Sequence, residues 1–266
     1  MRWSKIKNII ILLLVLVNGF LLGQVGLRAL RSQQAQRETR ERMVAILERN
    51  DVSYLPQEVP GALTLPGRRV TLSPPGEAEA ALLAGEILRQ ETLGARTTYQ
   101  GPRGFVTCSP SGEMEAQFAP GAVPQEELDS LLESLGVRAQ ESDRQTQGDF
   151  VRVTLTQTWE DIPVPSLTVT VLLRNGGVES LTLRRLAGTE ELLPARDTLD
   201  AATALTRLLD ELNRGEGYVC SQISAVYPGY SPSGTGVLTL TPAWFIQTDT
   251  WRFVVDGYTG AVTATE

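Results

Sequence analysis

Apolar residues fall along this chain in three distinct rhythms, and each rhythm predicts a different kind of element. The first is a block. Ile9 to Val17 is an unbroken apolar run, and the whole stretch Ile9–Leu27 carries no charge. At 1.5 Å per helical residue it reaches ~28 Å, close to one bilayer core. It is longer than the apolar part of a secretory signal, and no small-x-small cleavage site follows at Gly26-Leu27-Arg28-Ala29. The pattern predicts an uncleaved transmembrane helix over residues 9–30, with residues 1–8 ahead of it.

The second rhythm is helical. Residues 31–50 are rich in Gln, Arg and Glu with Met43, Val44, Ile46 and Leu47 to one side, which predicts a juxtamembrane helix. Glu77–Thr92 reads as an amphipathic helix with Ala81, Leu82, Ile87 and Leu88 inward and Gly94 as its stop. Pro124 opens another, striped by Leu128, Leu131, Leu132 and Leu135. Asp197 is the expected N-cap of a fourth, with Leu199, Ala202, Leu205, Leu208, Leu209 and Leu212 inward and Gly215 beyond its end.

The third rhythm is alternation with period two. It predicts strands at Val70–Leu72, Arg96–Tyr99, Phe105–Cys108, Glu113–Phe118, Phe150–Trp159 and Leu167–Arg174. Asn175-Gly176 is a hairpin turn into Val178–Leu186. Tyr218–Tyr227, Val237–Leu240, Ala243–Gln247, Trp251–Asp256 and Ala261–Ala264 complete the set. The expected class is α+β, with two lobes that each set helices against an antiparallel sheet. The polar segment Gln140–Gly148 suggests the boundary, giving lobes at 51–145 and 146–266.

Charge sharpens the membrane reading. Residues 1–30 carry Arg2, Lys5, Lys7 and Arg28 and no acid, leaving 20 basic against 31 acidic groups in the remainder, a net −11. Such an acidic body repels phosphate backbones, so nucleic acid is not an expected partner. The basic residues ahead of the apolar block favour a cytoplasmic N-terminus and an extracytoplasmic body, although Arg31, Arg37, Arg40 and Arg42 follow on the far side. Within the block, Gly19 and Gly23 share one helix face beside the polar Asn18, an arrangement that suits contact with a partner helix in lipid.

Candidate chemistry is sparse. The chain has no histidine, which excludes Ser-His-Asp and Cys-His catalysis and His-ligated metals. Cys108 and Cys220 either pair outside the cell or sit as separate buried thiols, the second being favoured by how often cysteine is buried. Glu126-Glu127 and Glu190-Glu191 read as solvated faces, and Ser109–Gly112 and Ser231–Gly236 as turns. Trp244, Trp251, Phe253 and Tyr258 read as core aromatics. No catalytic residue, metal or cofactor is implied, and an enzyme is not expected.

One resemblance bears on function. The opening Trp3-Ser4-Lys5-x-Lys7, running straight into the apolar block, resembles the start of YycI-type proteins, although Arg2 stands where that family places an acid. Pro242-x-Trp244 and Asp256-x-x-Thr259-Gly260 resemble that family's closing strands and are similar to PepSY-type domains. Residues 51–200 carry no match. The resemblance implies one membrane helix and an extracytoplasmic YycH-like domain. It also implies a role as accessory regulator of a WalK-type (YycG) sensor histidine kinase in Gram-positive two-component signalling, with a YycH-type partner protein and membrane lipid around the helix. Asn18, Gly19 and Gly23 would then touch the kinase helices. Two other readings compete: a PepSY-like extracytoplasmic peptidase inhibitor, and an envelope ligand-binding module.

Overall fold

The computed structural model describes residues 38–214 and 217–265. The chain is mixed α+β, built on two sheets. An eight-stranded antiparallel sheet has the order β3 (Arg89–Leu93), β4 (Arg96–Gly101), β5 (Gly104–Cys108), β6 (Glu113–Phe118), β10 (Gly177–Arg184), β9 (Ile162–Arg174), β8 (Phe150–Trp159) and β7 (Ala139–Gln147). Helices α2 (Glu77–Ala84) and α3 (Leu128–Ser134) pack on one of its faces, burying Leu83, Met114, Leu132, Val169 and Leu181 between the layers.

A seven-stranded sheet is gathered from both ends of the described chain. Its path is β1 (Ser53–Tyr54), β12 (Gln222–Ser233), β13 (Val237–Thr248), β14 (Arg252–Asp256) and β15 (Val262–Thr265). Strand β2 (Arg68–Leu72) pairs with β13 and carries β11 (Gly188–Leu192). Helix α4 (Ala201–Asn213) and α1 (residues 38–48) contribute Leu205, Leu208, Met43 and Leu47 to the core over Trp244, Ile246 and Phe253.

The two sheets are therefore nested, not consecutive. The eight-stranded sheet is an insertion between β2 and β11. The polar segment expected to separate two lobes is instead edge strand β7, paired with β8 from Ala139–Gln157 to Gln147–Phe150. All but the first of its residues are exposed, and charged or polar residues on such an edge discourage further pairing.

Other expectations shift for local reasons. The helix expected over Glu77–Thr92 stops at Ala84, because Gly85 takes a positive φ of 81°. The rest becomes β3, and Gly94 serves as the turn of the β3–β4 hairpin and not as a helix stop. Ala80, Leu83 and Ala84 are buried in place of the expected Leu82 and Leu88, which are 41% and 71% exposed. Asp200, not Asp197, caps α4 by accepting the Thr203 N–H at 2.8 Å. The chain stays extended until then because Leu199 is held from both sides, its N–H on the Gly257 carbonyl (2.8 Å) and its carbonyl on the Trp244 indole (2.9 Å). Gly215 lies outside the described residues. Val237–Leu240 and Ala243–Gln247 form one strand, β13, that runs through Pro242.

A small third core joins the sheets. Val164 and Leu167 of β9 and Leu186 pack with Val70, Leu72, Tyr230, Leu238 and Leu240 of the seven-stranded sheet. Beside it the start of β9 lies against β12. At Gly229 the Pro163 carbonyl is 2.8 Å from where a Cβ would stand, so only glycine admits that approach.

Candidate interaction surfaces

The C-terminal signature residues come together, and their geometry shows what they do. Pro242 sits where β13 passes from one neighbour to the next: β2 pairs with Val237–Leu240 and β14 with Ala243–Gln247. A residue without an N–H costs least in such a gap. Its carbonyl accepts the Gly257 N–H at 2.8 Å. Trp244 is 1% exposed with its indole N–H on the Leu199 carbonyl. One Asp256 carboxylate oxygen accepts the N–H groups of Tyr258 (2.9 Å) and Thr259 (2.8 Å) and the Thr259 hydroxyl (3.0 Å). Gly260 closes the β14–β15 turn by donating its N–H to the Asp256 carbonyl. These five residues tie the approach to α4 onto β13–β15. They are a structural clasp: Asp256 holds Thr259 and Gly260, while Pro242 and Trp244 hold the neighbouring Gly257 and Leu199.

The remaining predicted contact residues, Trp3, Ser4, Lys5, Lys7, Asn18, Gly19 and Gly23, lie outside the described residues, as does the expected membrane helix. Among the described residues no helix is long and apolar enough to cross a bilayer.

Of the aromatics read as core, Trp244 and Phe253 are buried at 1% exposure each, and Trp251 is half-buried with its ring edge-to-face against Tyr218. Cys108 and Cys220 are both free. Cys108 belongs to the core of the eight-stranded sheet and Cys220 to the edge of the other. Burial pushes the Cys108 thiol up to about 11, which makes it a poor nucleophile. Burial also raises the Cys220 thiol.

One charged cluster was not legible in the sequence. Arg68 of β2, 9% exposed, donates to Glu190 of β11, to Glu160 in the β8–β9 turn and to the Tyr230 hydroxyl of β12 (3.2 Å). Tyr230 in turn donates to the Pro66 carbonyl at 3.0 Å. Burial alone would lower the Arg68 pKa. The Tyr230 hydrogen bond and the neighbouring Glu190 and Glu160 charges outweigh it and carry the value above its ordinary one. Glu160 and Asp161 both take positive φ (48° and 67°), so the turn that delivers Glu160 is left-handed at two non-glycine positions. Glu190 and Glu191 both lie in the exposed strand β11, as a solvated pair would, but each meets a cation: Glu191 pairs with exposed Arg69 at 3.0 Å, and Glu190 with the largely buried Arg68.

Opposite α2 and α3, the other face of the eight-stranded sheet carries half-buried and exposed polar residues. Thr98, Thr107, Glu115, Thr182, Thr170 and Thr154 stand side by side in one cross-strand row. Arg96, Thr107, Ser109, Glu113 and Glu115 surround a shallow hollow of about 160 Å³ on it. The hollow is shallow and open to solvent, a shape that suits contact with another surface. Among the described residues no group of three His, Cys, Asp or Glu side chains converges as a metal site.

No family model matches the chain, and neither does any curated protein. Among solved structures it is similar to an uncharacterized protein from Eubacterium rectale ATCC 33656, at 11% identity and a TM-score of 0.55. That match covers 82% of this chain and 92% of that one. It is also matched, at 9% identity and a TM-score of 0.37, with the Bacillus megaterium YpeB C-terminal domain, over 71% of this chain and 93% of that one. The first likeness shows a shared fold. The second is too distant to extend it.

Proposed function

We propose that this chain is a membrane-anchored, extracytoplasmic accessory regulator of a WalK-type sensor histidine kinase, of the YycI kind, acting with a YycH-type partner. The observation that carries the reading is a pairing of parts. An uncharged apolar stretch, Ile9–Leu27, sits behind Arg2, Lys5 and Lys7, and the body beyond it presents a broad open sheet face. An anchor followed by a flat recognition surface suits a protein that works by contact with other proteins.

The proposed mechanism is a population shift. A helix that packs better against one of two kinase states biases that equilibrium by its differential affinity and by no more than that. Gly19 and Gly23 would allow close backbone approach, and Asn18 a hydrogen bond across the pair. The body would make the bias depend on what it has bound outside the cell. A second reading, a PepSY-like peptidase inhibitor, is favoured by the way Pro242, Trp244, Asp256, Thr259 and Gly260 pack as one unit. It places the activity in the body alone.

Crosslinking and affinity capture of the full-length chain from native membranes separates the two. A control carries an unrelated transmembrane helix in place of Ile9–Leu27. Recovery of a sensor kinase with the native helix only is the expected result, and Gly19→Ile with Gly23→Ile then lowers that recovery. Recovery of a peptidase with both chains and no kinase would overturn the regulator and support the inhibitor.

A further inference from the structure

The two edges of the eight-stranded sheet are built differently. Strand β7 is protected. A bulge between Glu141 and Asp143 breaks its register, Ser142 folds its hydroxyl onto the Thr154 carbonyl, and Arg144 grips Glu141 with two bonds at 2.8 and 2.7 Å. Bulges and edge charges are how sheets discourage added strands. Strand β3 keeps a regular register over its whole length, contains no proline, and exposes all five of its residues. Leu88 and Leu93 stand at its two ends at 71% and 85% exposure.

Its open edge has a definite chemistry. Gly94 and Ala95 form a two-residue turn with positive φ at Gly94, so Leu93 and Arg96 are the closing hydrogen-bonded pair of the hairpin. Alternation then commits the backbone groups of Arg89, Glu91 and Leu93 to β4 and turns those of Gln90 and Thr92 outward. Leu88 gives its N–H to the Gln100 carbonyl at 2.8 Å, which leaves only its carbonyl for the outside. An extended polypeptide is what such an edge accepts.

The sequence of the edge selects which one. Two antiparallel copies of Arg89-Gln90-Glu91-Thr92-Leu93 can meet with Gln90 opposite Gln90. Arg89 then faces Glu91 of the other copy twice over, Thr92 comes opposite Leu88, and Leu93 opposite Ile87. The Thr92 N–H meets the Leu88 carbonyl, the one group that residue has free. The neighbouring two-fold registers are worse. With Glu91 opposite Glu91 two like charges face each other, which destabilises a sheet pair, and centring on Arg89 does the same with two cations. Within one chain Arg89 and Glu91 are only an exposed pair at 3.4 Å, free to re-partner at little cost.

We propose that β3 is a self-complementary docking edge, through which a second copy of this chain adds antiparallel to the eight-stranded sheet about a two-fold axis at Gln90. A five-residue strand buries less than the ~1,200 Å² at the low end of standard stable interfaces, so the contact is weak and concentration-dependent. The pairing does not depend on the regulatory reading above.

Oxidative crosslinking of the purified full-length chain in mild detergent, over a range of protein concentration, tests it. Gln90→Cys is expected to give a disulfide-linked dimer at least about five-fold faster than Glu91→Cys or Thr92→Cys, all in a Cys220→Ser background, because only position 90 meets its own copy within disulfide reach. Glu91→Arg added to Gln90→Cys removes the link by setting Arg against Arg, and adding Arg89→Glu restores it. Far-UV circular dichroism confirms that these exposed substitutions leave the fold intact. Equal linking at all three positions, failure of the charge swap to restore it, or a Gln90→Cys chain that stays monomeric at every concentration would overturn the proposal.

Discussion

The two sheets differ in how far along the chain each must reach to find its neighbours. In the eight-stranded sheet β3 to β6 form one meander and β7 to β10 another, and only the β6–β10 pair joins them across a longer gap. The seven-stranded sheet brings β1 and β2 against β12 and β13, more than 150 residues later, with the whole of the other sheet inserted between. Local pairing closes short loops and forms early, whereas distant pairing must first meet a larger loop-closure entropy. The difference implies that the inserted sheet holds its structure by itself, while the outer sheet depends on its aromatic core.

The largest expected effect tests that dependence. Trp244→Ala removes the most voluminous fully buried side chain of the outer sheet and orphans the Leu199 carbonyl, at a cost of about 3–5 kcal/mol. Urea unfolding reads the loss, and native-state hydrogen exchange reads its place. Amides of β12–β15 should lose protection while those of β4–β6 keep theirs. Equal loss in both would mean that the two sheets unfold as one unit, and the comparison would fail.

The same contrast explains what was legible in the sequence. Hairpin strands of the inserted sheet alternate cleanly, and Asn175-Gly176, with both φ values positive, marks its turn as the dipeptide suggests. The alternation disappears in β13, where Pro242 to Ile246 are all buried because both faces are covered, so one strand read as two. Strand β3 was hidden for the opposite reason. Its residues, from Arg89 to Leu93, are acceptable in a helix, and the stop at Gly85 decides the outcome. The Arg68 cluster had no local signal, since its partners lie 92 and 122 positions away. The C-terminal signature was visible as a pattern, but only the hydrogen bonds show that it is a clasp.

An intermediate effect is expected at the junction. Arg68→Met leaves the Glu160 and Glu190 carboxylates without their shared cation and the Tyr230 hydroxyl without its donor. Removing one member of a buried pair costs about 3–5 kcal/mol, and the 63% exposure of the Glu160 side chain, which can rehydrate, brings this to about 2 kcal/mol. Limited proteolysis should show faster cleavage at the β8–β9 turn, because Glu160 no longer anchors it to the outer sheet. Glu191→Gln, at an exposed pair, should change stability by less than about 0.5 kcal/mol. Comparable losses from both variants would mean that the cluster does not couple the sheets.

A smaller effect than at the Arg68 junction is expected from a pH-dependent contact that packs on the inserted sheet. Glu79 in α2 accepts the Gly76 N–H at 2.9 Å and the Arg185 guanidinium at 2.7 Å, which hold its carboxyl below the ordinary 4.5. Because the folded value is depressed, the stabilisation is fully present above the unfolded value and is lost as pH falls through the folded one. Stability should therefore be flat from neutrality down to about pH 5 and then decline, with the N-terminus of α2 loosening first. Glu79→Gln keeps the shape but loses the charge that both donors favour, costing about 1 kcal/mol at about pH 7 and reducing the acid slope. Urea midpoints at about pH 7 and about pH 3.5 for both chains measure this. An unchanged slope in Glu79→Gln would mean that the acid response originates elsewhere, for instance at Asp249, whose carboxyl the Ser221 and Gln222 donors of the outer sheet also hold low.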